Sequence, residues 1–300
     1  DDVHGWSFVA KDTNGDGTID NEEEVLGHND PRPSLRNISA SAKKNTLHHG
    51  TAVAGIIGAV GNNKRDGVGL LWDVQLMNIQ LIGPSGAGRF DHVERAVRYA
   101  VDDGASVINL SIVGGGMETE IGRALDYAYE NGVVVVAAAG NRFQGLNAFP
   151  AMPICIDAGK DQQTVLGVSA IVETRHFAAF SNFGSNCIDI TGPGVDIGSA
   201  AFYEPKENLS ETYRSNWRGT SFAAPFVSGV AALIKSVQPS WTAKQIYEVI
   251  LENTDKTPTE DEETYQSLFF SLLIDANKAV RAAYEQRNTV RPASSLVSVF

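Results

Sequence analysis

Two kinds of segment follow each other along the chain. Short β-branched runs, among them VQLMNIQLI, ASVINLSI and VVVVAAAG, are separated by segments in which apolar residues recur every three or four positions, FDHVERAVRYAVDDG and TEIGRALDYAYENG. The runs are typical of buried strands and the longer segments of amphipathic helices, which Gly104 and Gly132 terminate. Strands alternating with helices predict an α/β fold, a three-layer sandwich around a mainly parallel sheet.

Domain organisation and partners follow from length and composition. No repeat or long linker divides the chain, so we expect one domain over residues 1–283 and a polar tail over residues 284–300. The net charge of −12 and the pI near 4.9 argue against a nucleic-acid partner. The longest apolar run, residues 133–139, is too short to span a membrane. Cys155 and Cys187 permit one disulfide, but two buried thiols would be equally ordinary.

Parallel sheets bind ligands at the carboxyl ends of their strands, so the residues that follow the predicted strands are the candidates for chemistry. His49 precedes a helix-like apolar segment, Asn141 follows the VVVVAAAG strand, and Ser221 opens the segment GTSFAAPFVSGVAALIKSV. Taken singly, such a histidine is more often structural and such an asparagine is usually a turn former. Thr220 and Ser221 also suit a helix N-terminus, where hydroxyl side chains cap free backbone N–H groups.

Taken together, the three motifs resemble those of the subtilisin-like serine proteases, the subtilases. HGTAVAG is similar to their histidine motif, VVVVAAAGN to their oxyanion segment and GTSFAAPFVSGVAAL to their serine motif. Weaker likenesses, from GWSFV to IDANKAV, extend the resemblance over residues 1 to about 283. It implies a subtilisin-like fold and a serine endopeptidase that works through an acyl-enzyme. In that enzyme His49 is the base, Ser221 the nucleophile, and Asn141 an oxyanion donor together with the Ser221 backbone N–H.

The chain departs from the family pattern in two places. Ala52 replaces the second histidine of the motif, which leaves the first, His49, in place. The triad aspartate, which in the family ends a strand in the middle of the sheet, has no counterpart before Gly5. We therefore expect the aspartate upstream of this chain, and the 300 residues alone to be nearly inactive, because the imidazole would lack its orienting carboxylate.

Two other classes of function compete with this interpretation. A catalytically inactive binding or regulatory module on the same fold remains an alternative, because two triad members do not prove a third. An α/β-hydrolase esterase is disfavoured, because Ser221 lacks the Gly-x-Ser-x-Gly elbow and His49 precedes it in the chain.

The resemblance also implies how substrate binds. Subtilases hold a peptide as an extended strand between two backbone edges, which are matched here by Gly86, Ala87 and Gly88 and by Ser111, Ile112 and Val113. The first specificity pocket is expected against Ala138, Ala139 and Gly140, whose small size leaves room for a large apolar residue. SIVGGG is a residue longer than the usual family form, so we expect a broad preference. A polypeptide substrate, a monomeric state and secretion complete the expectation.

A calcium loop is predicted independently by DTNGDGTIDNEE, residues 12–23. The loop fits the twelve-position pattern with oxygen ligands from Asp12, Asn14, Asp16, Thr18, Asp20 and Glu23. A solvated acidic loop is the alternative, and the flanks favour it, since GWSFVA is strand-like and EVLGHNDP is too short for a second helix. We expect a bound Ca²⁺.

Overall fold

A computed structural model describes residues 5–9, 29, 31–32, 46–83, 88–89, 91–116, 118–256 and 272–289. The predicted calcium loop and Gly86 and Ala87 lie outside these residues. The strands are β1 (Gly5–Ser7), β2 (Asn78–Gln80), β3 (Val107–Leu110), β4 (Val134–Ala138), β5 (Leu166–Ile171), β6 (Ile190–Pro193), β7 (Ile197–Ala200), β8 (Tyr213–Trp217), β9 (Asp255–Lys256) and β10 (Leu272–Leu273). The helices are α1 (His49–Gly58), α2 (His92–Asp102), α3 (Glu118–Glu130), α4 (Thr220–Val237), α5 (Ala243–Glu252) and α6 (Ala276–Thr289).

The central sheet confirms the predicted mainly parallel arrangement. Its strand order is β3-β4-β5-β6-β10-β9, and each neighbouring pair is parallel except β9 with β10. Two small sheets accompany it: β1 pairs with β2 in parallel, and β7 with β8 in an antiparallel hairpin. The apolar runs predicted as strands therefore supply β2, β3 and β4.

Strand β4 shows why the fold has three layers. Its five residues are almost fully buried, and successive side chains point to opposite faces of the sheet. Val135 and Ala137 belong to the core cluster that contains the apolar faces of α2 and α3. Val134, Val136 and Ala138 belong to the cluster formed with α4, α5 and α6. A continuous apolar strand thus has a helical layer on each side, as the sequence predicted.

Glycines end α2 and α3 as expected. Gly104 and Gly132 have φ of +87° and +71°, in the left-handed region that a residue without a Cβ enters most readily. The amide of the following residue then bonds five residues back, Ala105 to the Ala100 carbonyl and Val133 to the Ala128 carbonyl, both at 2.9 Å. These are the bonds of a Schellman ending.

The C-terminal helix continues beyond the position where the sequence placed a tail. Helix α6 runs from Ala276 to Thr289, so it passes residue 283 without a break. Residues 284–287 are exposed, and their polar character is that of a solvent-facing last turn.

A disulfide and an open sheet edge complete the framework. Cys155 and Cys187 are joined, which ties the segment after β4 to the segment before β6. Within the described residues β2 pairs only with β1, and β3 only with β4. Met77, Ile79 and Leu81 pack against the core cluster that includes β3. The β1–β2 pair therefore lies against the same core as β3 without hydrogen-bonding to it.

Helix α4 owes its apolar composition to its place in the core. Its 18 residues have a mean hydropathy of 1.4, enough by length and composition to cross a membrane. However, 61% of that window is buried inside the protein, and helices at the centre of a fold meet the same criterion.

Candidate active site

Ser221 is the second residue of α4 and lies against the end of β3. Its Oγ donates a hydrogen bond to the Ser111 carbonyl at 3.3 Å, and its own carbonyl accepts one from Ser111 Oγ at 2.8 Å. The serine segment is thus bonded directly to the residue that follows β3. The hydroxyl is directed to a backbone carbonyl here, so the expectation that the Ser221 side chain caps α4 is wrong.

A chain of polar side chains behind Ser221 holds it in place. Asn109 in β3 donates from Nδ2 to Ser111 Oγ at 2.9 Å and accepts at Oδ1 from Ser228 Oγ at 2.9 Å. Ser228 lies two turns along α4 and is buried. Buried polar groups that satisfy one another define a single geometry, so this network fixes α4 relative to β3. The sequence analysis missed Asn109 and Ser228, although each is a polar residue in an otherwise apolar segment.

His49 is the first residue of α1, which packs against α4. Its ring centroid lies 5.5 Å from that of Phe222, the residue after Ser221. Burial lowers the pKa of the His49 imidazole below its usual value of 6.5, so the ring is neutral at neutral pH and can accept a proton. No other residue of the described ranges hydrogen-bonds to the ring, which leaves both of its nitrogens available.

The neighbouring His48 has a different environment. It is fully buried, and its Nδ1 accepts a hydrogen bond from the Phe202 backbone N–H at 3.1 Å. A ring nitrogen engaged by a backbone donor fixes the tautomer of a packed side chain. Of the two adjacent histidines, His49 is therefore the one suited to proton transfer.

Asn141 follows β4, and its orientation is set by Thr220. Its Oδ1 accepts hydrogen bonds from the Thr220 backbone N–H at 2.9 Å and from Thr220 Oγ1 at 3.2 Å. Thr220 Oγ1 in turn accepts from the Gly140 N–H at 2.9 Å. The amide oxygen is thereby committed to the N-terminus of α4, which it caps. Asn141 Nδ2 has no acceptor among the described residues and is left as a free donor.

A second free donor lies at the start of the same helix. The first backbone N–H groups of a helix have no partner within it. Thr220 N–H is bonded to Asn141, and Phe222 N–H to the Gly219 carbonyl at 3.0 Å, whereas the Ser221 N–H has no acceptor in the described ranges. Gly219 makes the approach possible: its φ is +143°, and a Cβ there would lie 3.2 Å from Asn141 Nδ2. Two unused N–H donors therefore accompany the Ser221 hydroxyl.

Asn182 is a further residue that the sequence analysis missed. Its Oδ1 accepts from the backbone N–H groups of Arg142 and Gln144, both at 3.0 Å, and its Nδ2 donates to the Ala139 carbonyl at 2.8 Å. The side chain is buried, and it fixes the loop that carries Asn141. One amide thus supports the backbone on both sides of the predicted oxyanion donor.

The predicted substrate-binding segments are only partly described. Gly88 is exposed and forms an isolated antiparallel bridge with Ile82. In the second edge Ser111 and Ile112 are half-buried and Val113 is exposed, with Val113 Cγ2 3.5 Å from the position of a Cβ on Gly140. Ala138 and Ala139 are buried and hydrogen-bonded into the sheet. These two alanines and Gly140 can therefore form only the floor of a pocket.

Metal binding has no candidate in the described part of the chain. No group of three or more histidine, cysteine, aspartate or glutamate side chains is placed there to hold an ion. The predicted ligands in residues 12–23 lie outside it and stay a prediction.

The fold and these residues define an α/β protein in which a serine hydroxyl and two N–H donors lie at the carboxyl ends of β3 and β4, and a neutral imidazole packs against Phe222, the residue after the serine. Comparison with known proteins agrees, because the model of the subtilase family matches residues 12–270. The chain belongs to the subtilase family. It is 35% identical to subtilisin DY of Bacillus licheniformis over 66% of this chain and 67% of that protein. It is 33% identical to subtilisin Savinase of Lederbergia lenta over 78% of this chain and 77% of that protein.

Solved structures are similar as well. A cold-adapted subtilisin-like serine proteinase superposes with a TM-score of 0.62 at 26% identity, over 76% of this chain and 74% of that one. A protease from Pseudoalteromonas arctica PAMC 21717 superposes with a TM-score of 0.63 at 29% sequence identity, over 78% of this chain and 70% of that one. The chain spans 55% of alkaline elastase YaB and 43% of the thermophilic serine proteinase of Bacillus sp. AK1, which are longer proteins.

Proposed function

We propose that the protein is a serine endopeptidase. The observation that favours this function most is the orientation of Asn141. Because Thr220 holds Asn141 Oδ1, the Nδ2 donor is free beside the unused N–H of Ser221. Paired donors next to a serine hydroxyl suit the negative charge that develops on a carbonyl oxygen during acyl transfer.

Four groups of the described residues act directly in the proposed reaction. His49 removes the hydroxyl proton as Ser221 Oγ attacks the scissile carbonyl, and the carbonyl oxygen, now negative, is bound by Ser221 N–H and Asn141 Nδ2. The intermediate collapses, the C–N bond breaks, and the leaving amine takes the proton from His49. Water then attacks the acyl-enzyme by the same steps, which restores the Ser221 hydroxyl. For the first step the hydroxyl rotates from the Ser111 carbonyl to the imidazole, as apo sites often require.

The triad aspartate in this proposal comes from outside the described residues. It would accept a proton from His49 and hold the ring in the correct tautomer. Among the described residues β2 pairs only with β1 and β3 only with β4, so their outer edges offer backbone partners to a further strand that carries it. Without that carboxylate the protein should be nearly inactive.

The remaining parts of the proposal concern substrate, metal and location. An extended polypeptide would bind beside Gly88 and residues 111–113, with a broad preference that includes large apolar side chains. Calcium would bind the acidic loop at residues 12–23. Secretion suits the Cys155–Cys187 disulfide, because such bonds persist in oxidising compartments, and the protein would act as a monomer.

A catalytically inactive module is the second candidate. In its favour, Ser221 Oγ donates to a backbone carbonyl rather than to His49, and His49 has no carboxylate partner among the described residues.

Active-site labelling separates the two candidates. The full-length protein should hydrolyse casein and react with a serine-directed fluorophosphonate at Ser221. The label should disappear in Ser221→Ala and fall steeply in His49→Ala, because the hydroxyl then lacks its base. Ser236→Ala, on the exposed end of the same helix, and His176→Ala, an exposed histidine, are the matched controls and should label normally. Absence of both label and hydrolysis in the parent would favour the inactive module.

A further inference from the structure

The residue before the proposed base is bonded to the hairpin that leads into the serine segment. His48 is fully buried immediately before α1, and its Nδ1 accepts a hydrogen bond from the Phe202 N–H at 3.1 Å. Phe202 follows the end of β7. The partner strand of that hairpin, β8, ends at Trp217, shortly before Ser221. One side chain thus links the segment that carries the base to the segment that leads to the nucleophile.

A second bond attaches the same hairpin to α1 one turn further along. Ser199 Oγ in β7 donates to the Ala52 carbonyl at 2.7 Å, and both residues are buried. His48 and Ala52 are four positions apart, so they lie on one face of the helix. Gly55, on that face as well, lets β7 approach closely, since a Cβ there would lie 2.5 Å from Ser199 Oγ. The hairpin therefore lies along the N-terminal half of α1.

Aromatic packing between the same elements is less directional. The His48 ring centroid lies 6.3 Å from that of Trp217, which stacks on Phe222 at 5.4 Å. The His49 ring packs against Phe222 from α1 at 5.5 Å. Apolar packing has no preferred direction, whereas a hydrogen bond weakens steeply when its angle changes. The bonds from the hairpin therefore define the position of α1 more sharply than the ring contacts do.

We propose that His48 is a positioning residue. Its bond to Phe202 holds the start of α1, and with it the base His49, at the distance from Ser221 that proton transfer requires. The inference rests on the proposed endopeptidase function and adds to it a residue that does not touch the substrate. Displacing a reacting group by about 1 Å can lower a rate by about 10²-fold, so kcat should depend on this bond outside the reacting atoms.

Two substitutions in the full-length protein separate the hydrogen bond from the packing. His48→Asn keeps an acceptor, Oδ1, at the position of the imidazole Nδ1, whereas His48→Leu fills a similar volume without one. We expect His48→Leu to lower kcat by about 10- to 100-fold and to change KM by less than about 2-fold, because substrate binds elsewhere. Fluorophosphonate labelling of Ser221 should slow in parallel. His48→Asn should restore most of both rates.

Tyr247→Phe is the matched control for a loss of stability. Tyr247 is buried in α5, and its hydroxyl oxygen accepts a hydrogen bond from the Val135 N–H at 3.0 Å. Val135 lies near the start of β4, at the opposite end of the strand from Asn141. Like His48→Leu, this variant leaves a backbone N–H without its side-chain acceptor, which lowers stability. Its kcat, measured well below its melting temperature, should equal that of the parent.

The outcomes separate the positioning role from the proposed function. Parent kcat in His48→Leu, equal losses in His48→Leu and His48→Asn, or a raised KM with unchanged kcat overturns the positioning role alone. Should His48→Leu fail to fold, His48→Gln takes its place; its amide oxygen lies one bond further from the backbone, so kcat should fall, and a parent kcat overturns the role. A parent protein that neither labels nor hydrolyses overturns the endopeptidase and the positioning role with it.

Discussion

Asp189 gives a prediction about stability that is independent of catalysis. It precedes β6 and is partly buried, and its Oδ2 accepts a hydrogen bond from the Gly167 N–H of β5 at 2.7 Å. Burial raises the pKa of Asp189 to about 7. The bond from Gly167 opposes that rise, and the negative charge of Asp157 adds to it.

The sign and size of the effect follow from linkage. The unfolded carboxyl loses its proton near its ordinary pKa of 3.8, whereas the folded one retains it up to about pH 7. Between these values the folded state binds more protons, so stability falls as pH rises and levels off above about pH 7. A shift of about three units corresponds to about 4 kcal/mol at most. Burial raises the pKa of Asp157 as well, with the same sign.

Asp189→Asn removes the titration and keeps an acceptor for Gly167. At about pH 4 the variant should unfold within about 1 kcal/mol of the parent, since the folded carboxyl is then neutral and the unfolded one is only about half ionised. At about pH 8 it should be more stable by about 2–4 kcal/mol, which raises the melting temperature by roughly 4–8 °C for a domain of this size.

Calorimetry measures the melting temperatures of the parent and the variant at both pH values. Both proteins carry Ser221→Ala, which prevents self-digestion. Asp161→Asn, an exposed carboxylate in the preceding loop, is the matched control and should give the same small change at both pH values. The comparison of variants cancels the contribution of Asp157, which is present in both. A difference between Asp189→Asn and the parent that is equal at the two pH values would refute the reasoning.

The remaining predictions concern the oxyanion donor and the metal. Asn141→Leu should lower kcat by about 10²–10³ with little change in KM, because the contact forms only as charge develops on the oxygen. This is the range established for the equivalent donor in subtilisins. A raised KM with normal kcat would assign Asn141 to ground-state binding instead. Excess chelator should lower the melting temperature of the parent by several degrees, because a ligand at a hundredfold excess adds about 2.7 kcal/mol. Asp12→Ala with Glu23→Gln should abolish that response, and an unchanged response would leave the loop a solvated insertion.

Much of the fold could be predicted because buried positions are occupied by apolar residues, which the sequence shows directly. The continuous apolar run of β4 has no polar face, so it had to lie between two helical layers. The helix stops at Gly104 and Gly132 could be located because the left-handed conformation favours glycine. The extent of α6 could not be predicted, because residues 284–287 face solvent and their polar sequence suits a helix end and a tail equally.

The supporting residues of the site were beyond sequence reasoning for a different reason. Asn109 and Ser228 bond to each other across 119 residues, and Asn182 bonds to Ala139, Arg142 and Gln144 across 43, 40 and 38 residues. The apolar segments around Asn109 and Ser228 indicate burial of a polar group, but nothing local identifies its partner. Only the folded chain shows which partners these side chains bond.

The contacts also explain why the oxyanion and serine motifs occur together. Gly140 N–H bonds to Thr220 Oγ1, and Thr220 N–H bonds to Asn141 Oδ1, so AAAGN and GTS are the two halves of one hydrogen-bonded unit. Replacing either half would leave the other with unsatisfied groups, which is costly in a buried setting. His49 is outside this unit and is held among the described residues by packing against Phe222. In the proposed mechanism the donors for the oxyanion are therefore preorganised by the fold, whereas the orientation of the base would depend on the carboxylate proposed to complete the triad.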